Sequence, residues 1–148
     1  MTLLELIIAC AILLILSSAA LPIAKYSIIR QKETDLRRDL REMRDAIDRY
    51  KDAADRNQIR VEIGSEGYPP DLETLVKGVQ LGASSDRKIR FLRKIPVDPM
   101  TGRAEWGLRA VQDDPDSTSW GGKNVFDVYS KSTGTALDGT KYSDSNYW

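Results

Sequence analysis

An almost unbroken apolar run fills residues 3–21, and its single charged side chain is Glu5, close to the N-terminus. Apolar residues lie on every face of the helix this run would form, more than one small domain could cover. Such a helix must be buried in lipid or in other helices. Its length sits at the lower limit of the ~17–25 residues that span a bilayer, and Lys25 follows closely, as at a membrane surface. A carboxylate within a membrane-length helix costs roughly 2.5–3.5 kcal/mol at the helix centre. Glu5 therefore calls for a partner, and the nearby cation is the Met1 α-amine, one helical turn away. The positive end of the helix dipole also favours a carboxylate there. A cleavable secretory signal is the competing reading, with Ser18-Ala19-Ala20 as a small-residue cleavage site. It is disfavoured because no Lys or Arg precedes the apolar run.

The chain has 148 residues, enough for one domain plus an anchor. Lys+Arg and Asp+Glu balance at 22 each, so no global field points to nucleic acid or to an acidic substrate. With no histidine and one cysteine, the usual metal and catalytic constellations cannot be assembled. Cys10 lies inside the apolar run, where a thiol behaves as a small hydrophobe. An intrachain disulfide is excluded, so packing or a bound ion must hold the C-terminal region.

Beyond Pro22 the pattern turns amphipathic without losing helical character. Leu36, Leu40, Met43, Ile47 and Tyr50 form one stripe at spacings of four and three, between dense alternating charges. No glycine or proline interrupts residues 23–57. One helix from the N-terminus to about Ala54 is therefore expected, on the order of 80 Å long. Its first half should protrude, and its second should be the spine of a globular unit. Pro22 removes a backbone donor and should bend or locally break the rod. Gly64-Ser65-Glu66-Gly67 closes the helical region. Residues 68–76 read as a turn into a short helix, with the prolines in its first turn and Asp71 and Glu73 near its positive end. Residues 104–111 and 124–130 read as two strands joined by a polar loop, laying one face on the helical stripe, since a lone hairpin is marginal. Trp106, Trp120, Phe126 and Tyr129 supply aromatic bulk. Residues 131–148 read as an irregular loop. The fold class is thus α+β, organised as an apolar helix half (1–24), an amphipathic half (25–56) and a C-terminal α+β region (57–148).

The opening Met1-Thr2-Leu3-Leu4-Glu5-Leu6, the apolar run and Pro22 together resemble the mature N-terminus of type IV pilin-like proteins. Three later pieces narrow the resemblance: Gly67-Tyr68-Pro69-Pro70-Asp71-Leu72-Glu73, then Leu92-Arg93-Lys94-Ile95-Pro96-Val97-Asp98-Pro99, then Phe126-Asp127-Val128-Tyr129-Ser130. In this order they look like the major pseudopilin of type II secretion systems, over nearly the whole chain. The chain departs from the family pattern at Met1, where phenylalanine is more usual, and at Leu14, where many relatives have glycine. The latter makes extensive melting of the helix less expected. The resemblance implies a pilin-like fold and a single-pass bacterial inner-membrane protein with its globular part in the periplasm. It also implies leader removal before Met1 and N-methylation of Met1 by prepilin peptidase. Assembly would be into a homo-oligomeric helical filament, with minor pseudopilins and a secretion assembly platform as partners.

Met1, Thr2, Glu5 and Pro22 are the candidate assembly residues. In a filament a staggered neighbour could present its Met1 amine to Glu5, and Thr2 could add a hydroxyl hydrogen bond. Relatives bind calcium in the loop after the last strand, and Asp138, Ser143 and Asp144 are the hard oxygen donors here that would do so. The competing reading is a loop pinned by Tyr142, Tyr147 and Trp148. No catalytic constellation emerges. Asp113, Asp114 and Asp116 read as solvated loop, and Arg37, Arg38, Arg41 and Arg44 as a solvated helix face or subunit contact rather than a nucleic-acid site. A secretion pseudopilus subunit leads. Its rivals are a type IV pilus subunit for adhesion, motility or DNA uptake, and a monomeric membrane-tethered binding domain.

Overall fold

A computed structural model describes residues 2–82 and 86–147. One helix, α1 (Leu3–Asp55), accounts for 53 residues. It is continuous through Pro22, so no local break occurs there. The proline withdraws a single N–H from a long hydrogen-bonded ladder, and the turns on either side keep theirs. Burial divides the helix sharply. Residues 2–28 are exposed, whereas Leu36, Leu40, Met43, Ile47 and Tyr50 are at most 2% exposed. The stripe read from spacing is therefore the inner face of the globular part.

The helix α2 (Leu72–Lys77) starts at Asp71, whose Oδ1 accepts the Thr74 N–H at 2.7 Å. The prolines precede this cap rather than occupying the first turn: the Pro69 carbonyl accepts the Val125 N–H, tying the turn to the sheet region. Leu75 and Leu72 face inward. Gly78 ends α2 at φ +82°, where a Cβ would lie 2.6 Å from the Ile89 carbonyl oxygen. That close approach admits a short antiparallel pair, β1 (Val79–Gln80) with β2 (Lys88–Ile89). Sequence pattern does not reveal it, because two residues are too few to show alternation.

The main hairpin pairs β3 (Trp106–Arg109) with β4 (Asp127–Ser130), both shorter than the runs 104–111 and 124–130 read from the sequence. Trp106 sits opposite Ser130, and Leu108 opposite Val128. Val128 is fully buried and Trp106 nearly so, and both belong to the core built on α1. On the other face, Gly107 sits opposite Tyr129, whose ring lies so close that a Cβ on Gly107 would fall 2.2 Å from its Cζ. Glycine here lets the tyrosine cross the strand. Trp120 and Phe126 add less to the core than their size suggests, at 39% and 47% exposure. The architecture is α+β: a long N-terminal helix packed over its second half on a small antiparallel sheet.

Candidate functional site: the N-terminal helix head and the C-terminal clamp

Thr2 caps α1. Its Oγ1 accepts the Glu5 N–H at 3.2 Å, and the Thr2 N–H donates to Glu5 Oε2 at 3.4 Å. This reciprocal capping box satisfies two helix-end donors at once. Thr2 is thus a cap, and Glu5 has a local backbone partner that the expectation of a cation left out. The threonine followed three residues later by glutamate was the signal that could have found it. Met1 lies outside the described residues, and the reading that pairs its amine with Glu5 falls there. The helix head is long and apolar enough to cross a membrane, and its apolar window is 0% buried.

The C-terminal segment is held on α1 by charged side chains, among them Arg37 and Arg44, whose series reads in the sequence as a solvated helix face or a subunit contact. Glu33, 8% exposed, accepts the Leu137 N–H at 2.9 Å and the Tyr142 hydroxyl at 3.0 Å through Oε1. Arg37 approaches Asp138 at 3.5 Å and lies 5.1 Å from the centroid of the Tyr147 ring. Arg44 is largely buried rather than part of a solvated face. Its Nε meets Asp127 Oδ1 at 2.7 Å, and its two terminal nitrogens donate to the Tyr147 and Val128 carbonyls. Asp127 also faces Arg109 at 3.7 Å. Arg109, 3% exposed, donates to the Ser117 and Ser143 carbonyls, 3.0 Å each, and stacks 4.0 Å over the Tyr129 ring. Tyr142 and Tyr147 act as the expected aromatic anchors, edge to face at 5.4 Å. Trp148 lies outside the described residues. Burial and the Glu33 hydrogen bond push the Tyr142 hydroxyl up to about 12.

The later sequence motifs meet in space. Asp98, fully buried, accepts the Met100 N–H and the Ser130 hydroxyl, the latter at 2.6 Å, and the Trp106 indole donates to the Pro96 carbonyl. The turn at residues 96–100 is thereby fastened to β4. Asp113 is structural rather than merely solvated: its Oδ2 accepts the Ala110 and Gly121 N–H groups, and these hold its carboxyl below the usual range.

For calcium, the folded donors are dispersed. Asp138 accepts the Thr140 N–H and faces Arg37, and those contacts together with its turn hold its carboxyl low. Asp144 accepts the Asn146 N–H. Ser143 and Asp144 line a cavity of about 550 Å³ with Asp116, but also with Arg109 and Lys141, and Asp138 is not part of that lining. Among the described residues no three His, Cys, Asp or Glu side chains gather as a ligand set. Two carboxylates offset by two cations, with a carbonyl already given to Arg109, do not fit a hard divalent ion as arranged. No family model, curated protein or solved structure matches the chain.

Proposed function

We propose that this chain is a structural subunit of a helical filament, a pilin-like protein of the type II secretion pseudopilus. The observation that carries the reading is the division of α1. Its second half is the spine of the globular part, while its first half extends from it, apolar and uncovered; Leu3, Leu14 and Ile15 are 76%, 72% and 69% exposed. Each such side chain contributes about 1.5–3 kcal/mol when removed from water. Summed over the run, that is on the order of tens of kcal/mol, beyond any single salt bridge. In the bilayer lipid covers this surface; after extraction only other copies of the helix do. Apolar helix packing then holds the fibre, and Glu5 with Met1 sets register, because removing one partner of a buried pair costs about 3–5 kcal/mol. The pseudopilin branch rests on the resemblance of the three later motifs.

Sheared filaments of the full chain test the assembly. They should survive high salt and dissolve in a detergent that solvates the helices. Dissociation by salt with survival in detergent would place the cohesion on the charged globular faces and refute the reading. A deletion strain that loses export of folded proteins but keeps its surface pili would support the secretion branch.

A further inference from the structure

Between Glu5 and Glu33 the chain carries no acidic residue, yet Lys25, Arg30 and Lys32 fall within the short stretch 25–32. All three are exposed, and among the described residues none of them enters an ion pair. The rest of the helix behaves differently. Arg37, Arg38, Arg44, Lys51 and Arg56 each face a carboxylate. Arg41 and Arg49 donate to backbone carbonyls. The nearest acid, Glu33, is turned under the C-terminal segment onto Leu137 and Tyr142, so it does not neutralise the three cations beside it. Asp35, next along, pairs with Arg38.

Geometry makes this stretch a collar. Lys25 and Lys32 are two turns apart along one side of the helix, and Tyr26 and Arg30 one turn apart along another. Together they span about 10 Å of axis, close to the ~5–7 Å depth of a headgroup layer once flexible side chains are added. Tyr26, 58% exposed, is the aromatic type favoured at that depth. Long cationic side chains lay their stems along apolar surface and lift their heads to the interface.

We propose that residues 25–32 form a basic collar that docks the phosphates of anionic phospholipids at the membrane surface. The collar selects the lipids around the subunit and fixes how deep its helix sits before assembly. The inference rests on the membrane-spanning part of the proposed function. Lipid selectivity of the full chain in vesicles tests it, using spin-labelled phosphatidylglycerol and phosphatidylcholine to read the lipid ordered at the protein surface. Each charge near an anionic surface favours binding about fivefold. The anionic lipid should therefore be enriched about fivefold at low salt, and lose that preference near 1 M salt, where the screening length is ~3 Å. The triple variant Lys25→Gln, Arg30→Gln, Lys32→Gln should order both lipids equally while its helix content matches the parent by circular dichroism. Equal ordering of the two lipids by the parent chain, or unchanged selectivity in the triple variant, would overturn the collar and leave a neighbouring subunit as its partner. A chain that orders neither lipid would overturn the membrane-spanning reading and the collar with it.

Discussion

Raising the pH should peel the C-terminal segment from α1, and Tyr142 should be the group that does it. Its ring is 6% exposed, and its hydroxyl donates to Glu33 at 3.0 Å. Desolvation first, and then the Glu33 carboxylate, move its deprotonation from 10.0 to about 12. An unfolded chain releases this proton near pH 10 and the folded chain near 12. Between those values the unfolded state binds fewer protons, so stability falls as pH rises. The contribution is fully present below pH 10 and gone above about 12. Two pH units correspond to about 3 kcal/mol, the stability the parent should lose over this range relative to a chain without the titrating hydroxyl. Tyr142→Phe loses a hydrogen bond to a charged group, so it should be less stable than the parent by about 1.5–3 kcal/mol at pH 8, and the gap should shrink by most of the linkage amount as pH rises to 12. Tyr50 and Tyr147 are also raised by burial, with Arg37 opposing at Tyr147, and half-buried Lys51 and exposed Lys77 are raised by Asp55 and Glu73. Tyr50, Lys51 and Lys77 titrate in both proteins, so the difference between the two curves reports Tyr142 together with its coupling to Tyr147, whose charge also raises Tyr142. Urea unfolding of the full chain in mild detergent, followed by near-ultraviolet circular dichroism from pH 8 to 12, measures it. A gap that stays constant up to pH 12 would refute the account.

Glu5→Ala should reach the membrane at parental levels but be absent from sheared filaments; parental filament yield would remove the register argument. Gly107→Ala forces a Cβ to within 2.2 Å of the Tyr129 ring, and overpacking of this kind costs about 1–3 kcal/mol. Its melting temperature should fall, and no fall would show that the ring moves freely. Arg44→Gln removes one side of a pair whose side chains are 11% and 17% exposed, and urea unfolding should show a loss of about 3–5 kcal/mol. Chelator should leave the melting temperature of the parent unchanged, and added calcium should not rescue Arg44→Gln; a drop on chelation would instead give the loop at Ser143 and Asp144 to the ion.

Periodicity carried the parts of this fold that repeat. The stripe from Leu36 to Tyr50 recurs often enough to fix which side of α1 is inside, and all five residues are buried. The hairpin was visible as two runs, but its length was not. Arg109 and Asp127 end the ladder with an ion pair at 3.7 Å, and alternation cannot register such an event. The short β1–β2 pair depends on Gly78 approaching Ile89, a contact without a local pattern.

What escaped the sequence is the role of its charges. Glu33 and Arg37 sit one turn apart on α1, and spacing along a helix cannot say what arrives from a hundred residues later. Their partners, Leu137 with Tyr142 and Asp138, come from the C-terminal segment. Arg44 and Arg109 likewise find carbonyls at Tyr147, Val128, Ser117 and Ser143. A carbonyl acceptor carries no side-chain identity, so no residue type at those positions announces it. Guanidinium suits such acceptors because its donors lie in a fixed planar fork that meets several oxygens together. A segment with little regular structure has many carbonyls to satisfy. Without a disulfide, and with its aspartates turned to backbone N–H groups, the C-terminal segment meets that demand with cations from α1 and β3. The pattern also separates the two ends of the amphipathic half. From Arg37 onward the helix's cations are committed to the chain itself, while Lys25, Arg30 and Lys32 remain turned outward, at the level where the proposed membrane surface lies.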